Sequence, residues 1–328
     1  MNHHLFQPLL YQVAAAALSP GDIAVPIRAE FNKQKNVEVI LGEVVNIDKE
    51  AKKVHTKDEE FEYDKLVVAI GNRHSYFGND HWEKSAPGLK TLADALNIRE
   101  KMLLSFEKAE RAKTQKEREK YMTFVIVGGG PTGVEVAGSF AEIAKQTLLQ
   151  DFRNIDTSHT RIILVEGMDR ILQAYDPSLT DKAKHSLEKL GVEVRLNSMV
   201  KDVKENGVQV GEEFIETSNI IWAAGNKVSP LLEKLNTNLD KGGRVKVEHD
   251  CTLPDNPEIF VIGDAALFIE DDQPLPGIAP VAMQQGRYVA KILKNDLPKN
   301  ERPPFHYFDK GNLATIGMSK SNFGKLVK

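Results

Sequence analysis

Hydrophobic and polar positions follow two different periods along this chain, and the changeovers mark its expected elements. Four short runs rich in β-branched residues end on small ones: "KLVVAIG" (65–71), "TFVIVGGG" (123–130), "NIIWAAG" (219–225) and "EIFVIGD" (258–264). Such runs predict strands buried on both faces, as in a parallel sheet. Ligands of open α/β sheets lie beyond the carboxyl ends of the strands, and all four runs stop where the backbone permits close approach.

Two longer segments, 36–70 and 191–225, alternate in the manner of β-hairpins. Each passes from an exposed strand through a Gly- or Lys-rich turn to an acidic strand, then into a buried run ending Ala-x-Gly or Ala-Ala-Gly. The shared plan indicates an internal duplication. It predicts an α/β chain of two Rossmann-like dinucleotide-binding domains, the second inserted in the first. A helical period marks "TLADALNIREKMLLSFEKAERAKTQKEREKYM", read as one long connector in which Thr91 as N-cap and Asp94 make a variant capping box. Its charged second half, 107–120, predicts a solvated face.

Composition narrows the classes. With 328 residues and 41% apolar content the chain can bury large cores and divides into two domains. Its 43 basic and 47 acidic residues leave a net charge of -4, which disfavours nucleic acid as a partner. The single Cys251 suits a reducing compartment and excludes a reductase that works through a Cys-x-x-Cys pair. No apolar run approaches the ~20 residues of a spanning helix, and the start lacks the order of a signal peptide. The end, "MSKSNFGKLVK", reads by itself as a solvated tail, although Lys320, Lys325 and Lys328 around Phe323, Leu326 and Val327 also fit the start of a basic, surface-seeking segment.

The candidate chemistry begins at "FVIVGGGPTGVEVAG", where Gly128, Gly130 and Gly133 match G-x-G-x-x-G between a buried strand and a helix. The first glycine makes the tight turn, the second admits a pyrophosphate, and the third lets helix and strand pack closely; the helix N-terminus then faces the phosphates. Glu166, ending "RIILVE", is placed to bind an adenosine ribose and repel a 2′-phosphate, favouring NADH over NADPH, with the nearby Arg170 as the opposing feature. The distance from loop to acid exceeds the usual ~20 residues, so 145–160 must hold a long helix or an excursion. Glu135, in the first turn of the helix, suits the helix dipole and is also within reach of a nicotinamide and a neighbouring flavin. Asp264 after Gly263 is by itself only a turn signal. Beside an Ala-x-Gly strand and a separate dinucleotide loop it signals FAD. No metal-ligand cluster is evident; His3 and His4 stand too close to the start to argue for one.

Five segments in order, "NHHLFQPLLYQVAAAALSPGDIAVPIR", "KLVVAIGNRHSYFG", "VIVGGGPTGVEVAG", "VIGDAA" and "APVAMQQG", resemble type II NADH dehydrogenase, the single-subunit NADH:quinone oxidoreductase, over nearly the whole chain. The resemblance implies a peripheral flavoprotein on the cytoplasmic side of the cell membrane. It would take a hydride from NADH onto FAD and reduce a membrane quinone without pumping protons, with a homodimer among its possible assemblies. Gly128, Gly130, Gly133 and Glu166 would hold NADH, with Glu135 near nicotinamide and flavin. Gly263, Asp264 and the turn from Ala69 to Gly71 would hold FAD, and Pro8 and Leu9 would line the flavin ring. The helix 279–293 resembles the quinone-site motif Ala-Gln-x-Ala-x-Gln through Ala279, Ala282, Gln284 and Gln285, with Pro280 where glutamine is common. Small residues there admit a flat quinone, and Gln284 and Gln285 can donate to its carbonyls. The same segment also reads as a packing helix with proline in its first turn, which accounts for Val281, Val289 and Ala290. Lys310 is a candidate for proton supply to the reduced quinone.

The expected division is 1–90 as the first part of an FAD domain, 91–250 as an NADH domain with its connecting helix, and 251–328 as the second FAD part with the quinone-site helix. The resemblance also implies an FAD phosphate loop before residue 1 and a membrane-docking region after "ATIG", so the chain reads as a fragment or a mis-placed start. Loss of two or three charge-assisted hydrogen bonds to phosphate weakens binding by on the order of a thousandfold, so this polypeptide alone is expected to retain little FAD and little activity. Two other functions fit the same motifs: a soluble NADH-dependent reductase of a ferredoxin-like protein, and a non-catalytic NADH-binding sensor.

Overall fold

The computed structural model describes residues 2–311 and 314–317. Near the start, helix α1 (Leu10–Ala14) buries Leu10, Tyr11, Val13 and Ala14. The first alternating segment folds as an antiparallel meander of β1 (Val44–Asp48), β2 (Lys53–Thr56) and β3 (Glu60–Glu62), and leads into β4 (Leu66–Val68). Residues 38–42, expected to open this segment as a strand, form none, and Ile40 and Leu41 stay exposed. Alternation specifies a strand only where a neighbouring ladder satisfies its backbone.

The connector is two helices rather than one. In α2 (Leu92–Arg111) the Thr91 hydroxyl accepts from the Asp94 N–H at 3.1 Å and the Asp94 carboxylate accepts from the Thr91 N–H at 2.8 Å, closing the expected capping box. Ala95, Ile98, Met102, Phe106 and Ala109 form its buried stripe. Ala112 then turns extended, and a second capping box, Thr114 with Glu117, starts α3 (Gln115–Tyr121). The motif "TQKE" carried that signal inside the charged stretch.

Strand β5 (Thr123–Val127) follows, buried throughout, and passes into α4 (Pro131–Glu142). The segment 145–160 is an excursion: a turn of π-helix at Ile143–Thr147, then a loop whose Arg153, Asn154 and Ile155 N–H groups all donate to the Glu110 carboxylate. After it come β6 (Arg161–Val165), α5 (Pro177–Lys189) and β7 (Val192–Arg195). A second antiparallel meander, β8 (Val200–Lys204), β9 (Gly207–Val210) and β10 (Glu213–Glu216), repeats the plan of the first and leads into β11 (Asn219–Trp222). The order β7-β6-β5-β11 is parallel throughout, so the order reverses at β5, where open sheets bind ligands.

The last part of the chain brings β12 (Thr252–Leu253), β13 (Asn256–Val261) and α6 (Ala279–Lys294). Strand β13 lies parallel to β4 and antiparallel to β12. The four apolar runs thus become β4, β5, β11 and β13, each with a parallel partner, as expected.

Contacts divide the described residues into two units, one within Met1–Val37, His74–Gly225 and Gly311–Lys328 and the other comprising Glu38–Arg73 and Asn226–Lys310. These borders differ from the expected 1–90, 91–250 and 251–328. The physical reason is burial: α1 packs on α2 and α4, which binds the N-terminal segment to the four-stranded unit.

In the other unit, Arg302 and Asp250 form a buried ion pair at 3.1 Å. The guanidinium also donates to the carbonyls of Pro257 and Leu297 and stacks 5.0 Å from the Phe260 ring centroid. Burial alone would raise the Asp250 carboxyl, but the Thr252 hydroxyl and Arg302 hold it below its ordinary range. Removing one partner strands the other charge in the core. Arg302→Ala is therefore expected to cost about 3–5 kcal/mol, read as a lowered urea midpoint, while replacing both residues with apolar ones costs clearly less. Equal losses in the single and double variants would contradict this account.

Candidate dinucleotide site and its surroundings

The turn from β5 into α4 is built by three glycines with three different reasons. Gly128 has φ +108, and a Cβ there would lie 2.8 Å from the Ala223 carbonyl carbon and the Ala224 nitrogen. A Cβ on Gly133 would overlap the Gly128 carbonyl oxygen. Gly130 is the contrast: a Cβ there meets nothing within 4 Å, so the protein leaves open the space above the helix N-terminus. That opening, with free N–H groups and the positive end of the helix dipole behind it, fits a pyrophosphate.

Glu166 closes the other side. It follows β6, and its carboxylate accepts from the Gly129 N–H at 2.6 Å and the Met168 N–H at 2.8 Å. These bonds tie the acid to the glycine turn and leave lone pairs for a ribose. Arg170 donates to the Gln173 carbonyl at 3.3 Å. Gly128, Gly130, Gly133 and Glu166 are therefore brought together as the sequence indicated.

Glu135 is the fifth residue of α4, just past the first turn that the sequence suggested for it, and no acidic residue occupies that first turn. Its Oε1 accepts from the Thr315 N–H at 3.3 Å and the Thr315 hydroxyl at 3.4 Å. Burial pushes the carboxyl from its ordinary value near 4.5 up to about 7, against the opposing pull of the two Thr315 donors. Tyr175 stands near enough that burial and the Glu135 charge together push its phenol up. Sequence reasoning missed Thr315, which lies 180 positions away, and no local pattern connects the two.

The residues expected around FAD divide between the units. Pro8 is exposed and Leu9 half-buried on a short 3-10 turn, Gln7–Leu9, in the nucleotide-binding unit. The others belong to the second unit. The chain beyond β4 carries exposed Ala69 and then Gly71 with φ +63 and open space where a Cβ would stand. The neighbouring β13 runs into Gly263, φ +68, and half-buried Asp264. The Ile262 N–H donates to the Val68 carbonyl at 3.1 Å, which sets the two strand ends side by side. Two positive-φ glycines, Gly71 with open space about it, and a carboxylate at adjacent parallel strand ends fit a hydroxylated, dinucleotide-type ligand.

Helix α6 holds its candidates in internal bonds. Gln285 is buried, and its side-chain carbonyl accepts from the Gly263 N–H at 2.7 Å. Gln284 clamps the Phe308 backbone, donating to its carbonyl at 2.9 Å and accepting from its N–H at 3.0 Å. The groups read from sequence as quinone donors thus first position the Gly263 turn and the 303–310 segment. Ala282 lies 3.3 Å from where a Gly263 Cβ would stand, so its small size serves this packing as well. Lys310 is exposed. Cys251 is fully buried, and burial followed by Asp250 raises its thiol, which leaves no reactive thiolate there. Among the described residues no helix is long and apolar enough to cross a membrane, and no group of three or more His, Cys, Asp or Glu suits a metal. The basic stretch with Lys320, Lys325 and Lys328 lies outside the described residues.

A four-stranded parallel nucleotide-binding sheet whose strands fall, in chain order, between the two parts of a second unit with its own parallel strand pair defines the class of two-dinucleotide oxidoreductases. The family model of pyridine nucleotide-disulphide oxidoreductases matches residues 1–286. Within that class the chain belongs to the type II NADH:quinone oxidoreductases. It is 43% identical to the enzyme of that name, Ndh, from Mycobacterium tuberculosis, over 100% of this chain and 72% of the relative. It is 31% identical to the type II NADH:quinone oxidoreductase of Staphylococcus haemolyticus, over 96% of this chain and 79% of the relative. The fold resembles that of NDH2 from Plasmodium falciparum solved in complex with NADH, with TM-score 0.87 and 21% identity over 97% of this chain and 82% of that one.

Two outcomes follow from the geometry. Gly133→Ala is expected to disrupt the turn and lower the melting temperature. Gly130→Ala should melt as the parent does yet bind NADH roughly tenfold or more weakly, a loss of about 1.4 kcal/mol by calorimetry. For Glu135, a folded-state pKa above the unfolded one costs nothing below about pH 4.5 and its full amount above about pH 7. Stability should therefore fall across that window by on the order of 3 kcal/mol more than in Glu135→Gln, as read from urea midpoints at both ends. Parallel pH curves for the two proteins would refute the burial of this carboxyl.

Proposed function

We propose that this chain takes a hydride from NADH and delivers two electrons to a membrane quinone, without pumping protons, as a peripheral protein on the cytoplasmic face of the cell membrane. The observation that carries the reading is the glycine turn with Glu166, in a chain that belongs to the type II family. FAD, when bound, supplies the hydride acceptor and the two-electron carrier between nucleotide and quinone.

This chain's own residues do the rest. Gly128, Gly130 and Gly133 bring the turn onto the pyrophosphate of NADH, and Glu166 binds its adenosine ribose. Gly71, Gly263 and Asp264 hold FAD, with Ala69 in the same turn and Pro8 and Leu9 against the flavin ring. Ala282 keeps the path to the quinone narrow and flat, while Gln285 and Gln284 hold the Gly263 turn and the 303–310 segment in place beside it. The reaction consumes NADH, one proton and a quinone, and releases NAD⁺ and a quinol. Glu135, titrating near neutrality, holds that extra proton, and Lys310 is a second candidate to supply it to the quinone. A homodimer and a membrane surface are the partners proposed beyond the quinone.

The test is anaerobic titration of the FAD-supplemented protein with NADH, followed by a soluble quinone. The expected result is bleaching of the flavin bands by one equivalent of NADH and their recovery on adding quinone, with little recovery on adding a ferredoxin. Recovery by ferredoxin alone would transfer the chain to the protein-acceptor reductases. NADH binding without any flavin response would make it a sensor.

A further inference from the structure

The carboxylate of Glu135 is the end of a hydrogen-bond chain whose other members no motif identified. The Gln12 side-chain amide donates to the Tyr11 hydroxyl at 3.0 Å, and the Tyr11 hydroxyl lies 2.6 Å from the Thr315 hydroxyl. Thr315 in turn presents both its hydroxyl and its backbone N–H to Glu135 Oε1. An ionised carboxylate can only accept, so the single proton of the Thr315 hydroxyl goes to Glu135, and this fixes the direction of the chain. With that proton spent, Thr315 can only accept at its other contact, so the Tyr11 hydroxyl donates to Thr315 while accepting from Gln12.

We propose that Thr315, oriented by Tyr11 and Gln12, is a positioning residue for Glu135, holding one carboxylate oxygen at two donors and setting how readily that carboxyl gives up its proton. The inference deepens the reading of Glu135 as the proton-holding group and rests on it.

The surroundings leave this task to Thr315. Burial drives the Glu135 carboxyl upward, and among the described residues the groups that oppose it are the two Thr315 donors, with no cation among them. Among the described residues the titratable side chains about it are Tyr175 and, through Thr315, Tyr11; Glu142, about two turns further along α4, sits against Gly317. Donors to the charged form lower an acid's pKa, and a chain of them polarised in one direction does so more strongly than an isolated hydroxyl. Reversing the chain to serve a protonated Glu135 would turn the Tyr11 proton away from Thr315, toward the side already occupied by Gln12. The arrangement therefore favours the carboxylate and offsets part of the burial. The placement of Thr315 is itself secured by close packing, because a Cβ on Gly138 would stand 2.8 Å from the Gly317 nitrogen.

The experiment is an infrared pH titration of the Glu135 carboxyl in the full chain, with Glu135→Gln as the blank, comparing the parent with Thr315→Val, Thr315→Ser and Tyr11→Phe. Valine keeps the shape and the backbone N–H and removes only the hydroxyl. The expected result is an upward shift of about one unit in Thr315→Val, near tenfold in proton affinity, a smaller upward shift in Tyr11→Phe, and parent behaviour in Thr315→Ser. An unmoved titration in folded Thr315→Val or Tyr11→Phe would overturn the proposal. The pH profile of NADH oxidation separates the two layers: a shifted titration with an unshifted profile supports the positioning of Glu135 and removes Glu135 from the proton path.

Discussion

The contact on which the nucleotide-binding unit depends is that of Gly133 beneath the carbonyl of Gly128, where no side chain fits. It lets α4 start directly at the carboxyl end of β5, so that the helix N-terminus and the open face at Gly130 look into the same space. The apolar side of the helix then drives the packing. Val134, Val136, Ala137, Phe140 and Ala141 are all buried, and Phe140 meets Phe124 of β5 edge-on with centroids 5.7 Å apart. Full burial of a Val or Phe side chain contributes about 1.5–3 kcal/mol, so these contacts outweigh the weak helix propensity of a segment with three glycines or prolines in its first eight residues. A second close approach on the same helix, Gly138 against Gly317, brings the segment 314–317 onto α4 and Thr315 to Glu135.

Glu135 shows two opposing effects of known size. The helix dipole, worth about 0.3–1 kcal/mol to a carboxylate in the first turn, falls off beyond it and gives Glu135, at the fifth position, less than that. Displacement of its pKa from near 4.5 to about 7 corresponds to on the order of 3 kcal/mol in the other direction. Burial wins, and an ordinary helix carboxylate becomes a group that changes charge near neutrality. The turn glycines and the acid are thus linked, since the packing that places the pyrophosphate opening also excludes water from the carboxylate.

In the second unit, hydrogen bonding decides what the glutamines of α6 do. A buried backbone N–H must find an acceptor, and the Gly263 N–H finds it in Gln285. Residues 303–310 belong to no strand, and Gln284 serves the backbone of Phe308 in place of a ladder. Both side chains are fixed by these bonds before any ligand arrives, which is how a site on a helix is pre-organised.

Much of this was legible from the residues in order. The four buried runs, the capping box at Thr91, the helix at 279–293 and the glycine turn are local patterns, because strand period, cap and turn each depend on residues a few positions apart. What tertiary structure decided is of another kind. It left 38–42 without a strand for want of a ladder, and joined α1 to the nucleotide-binding unit through buried apolar contacts with α2 and α4. It also set Thr315 on Glu135 and turned two glutamines toward the backbone. Each of these rests on a partner distant in sequence, or on how much water remains around a group, and neither quantity is encoded in the spacing of residues along the chain.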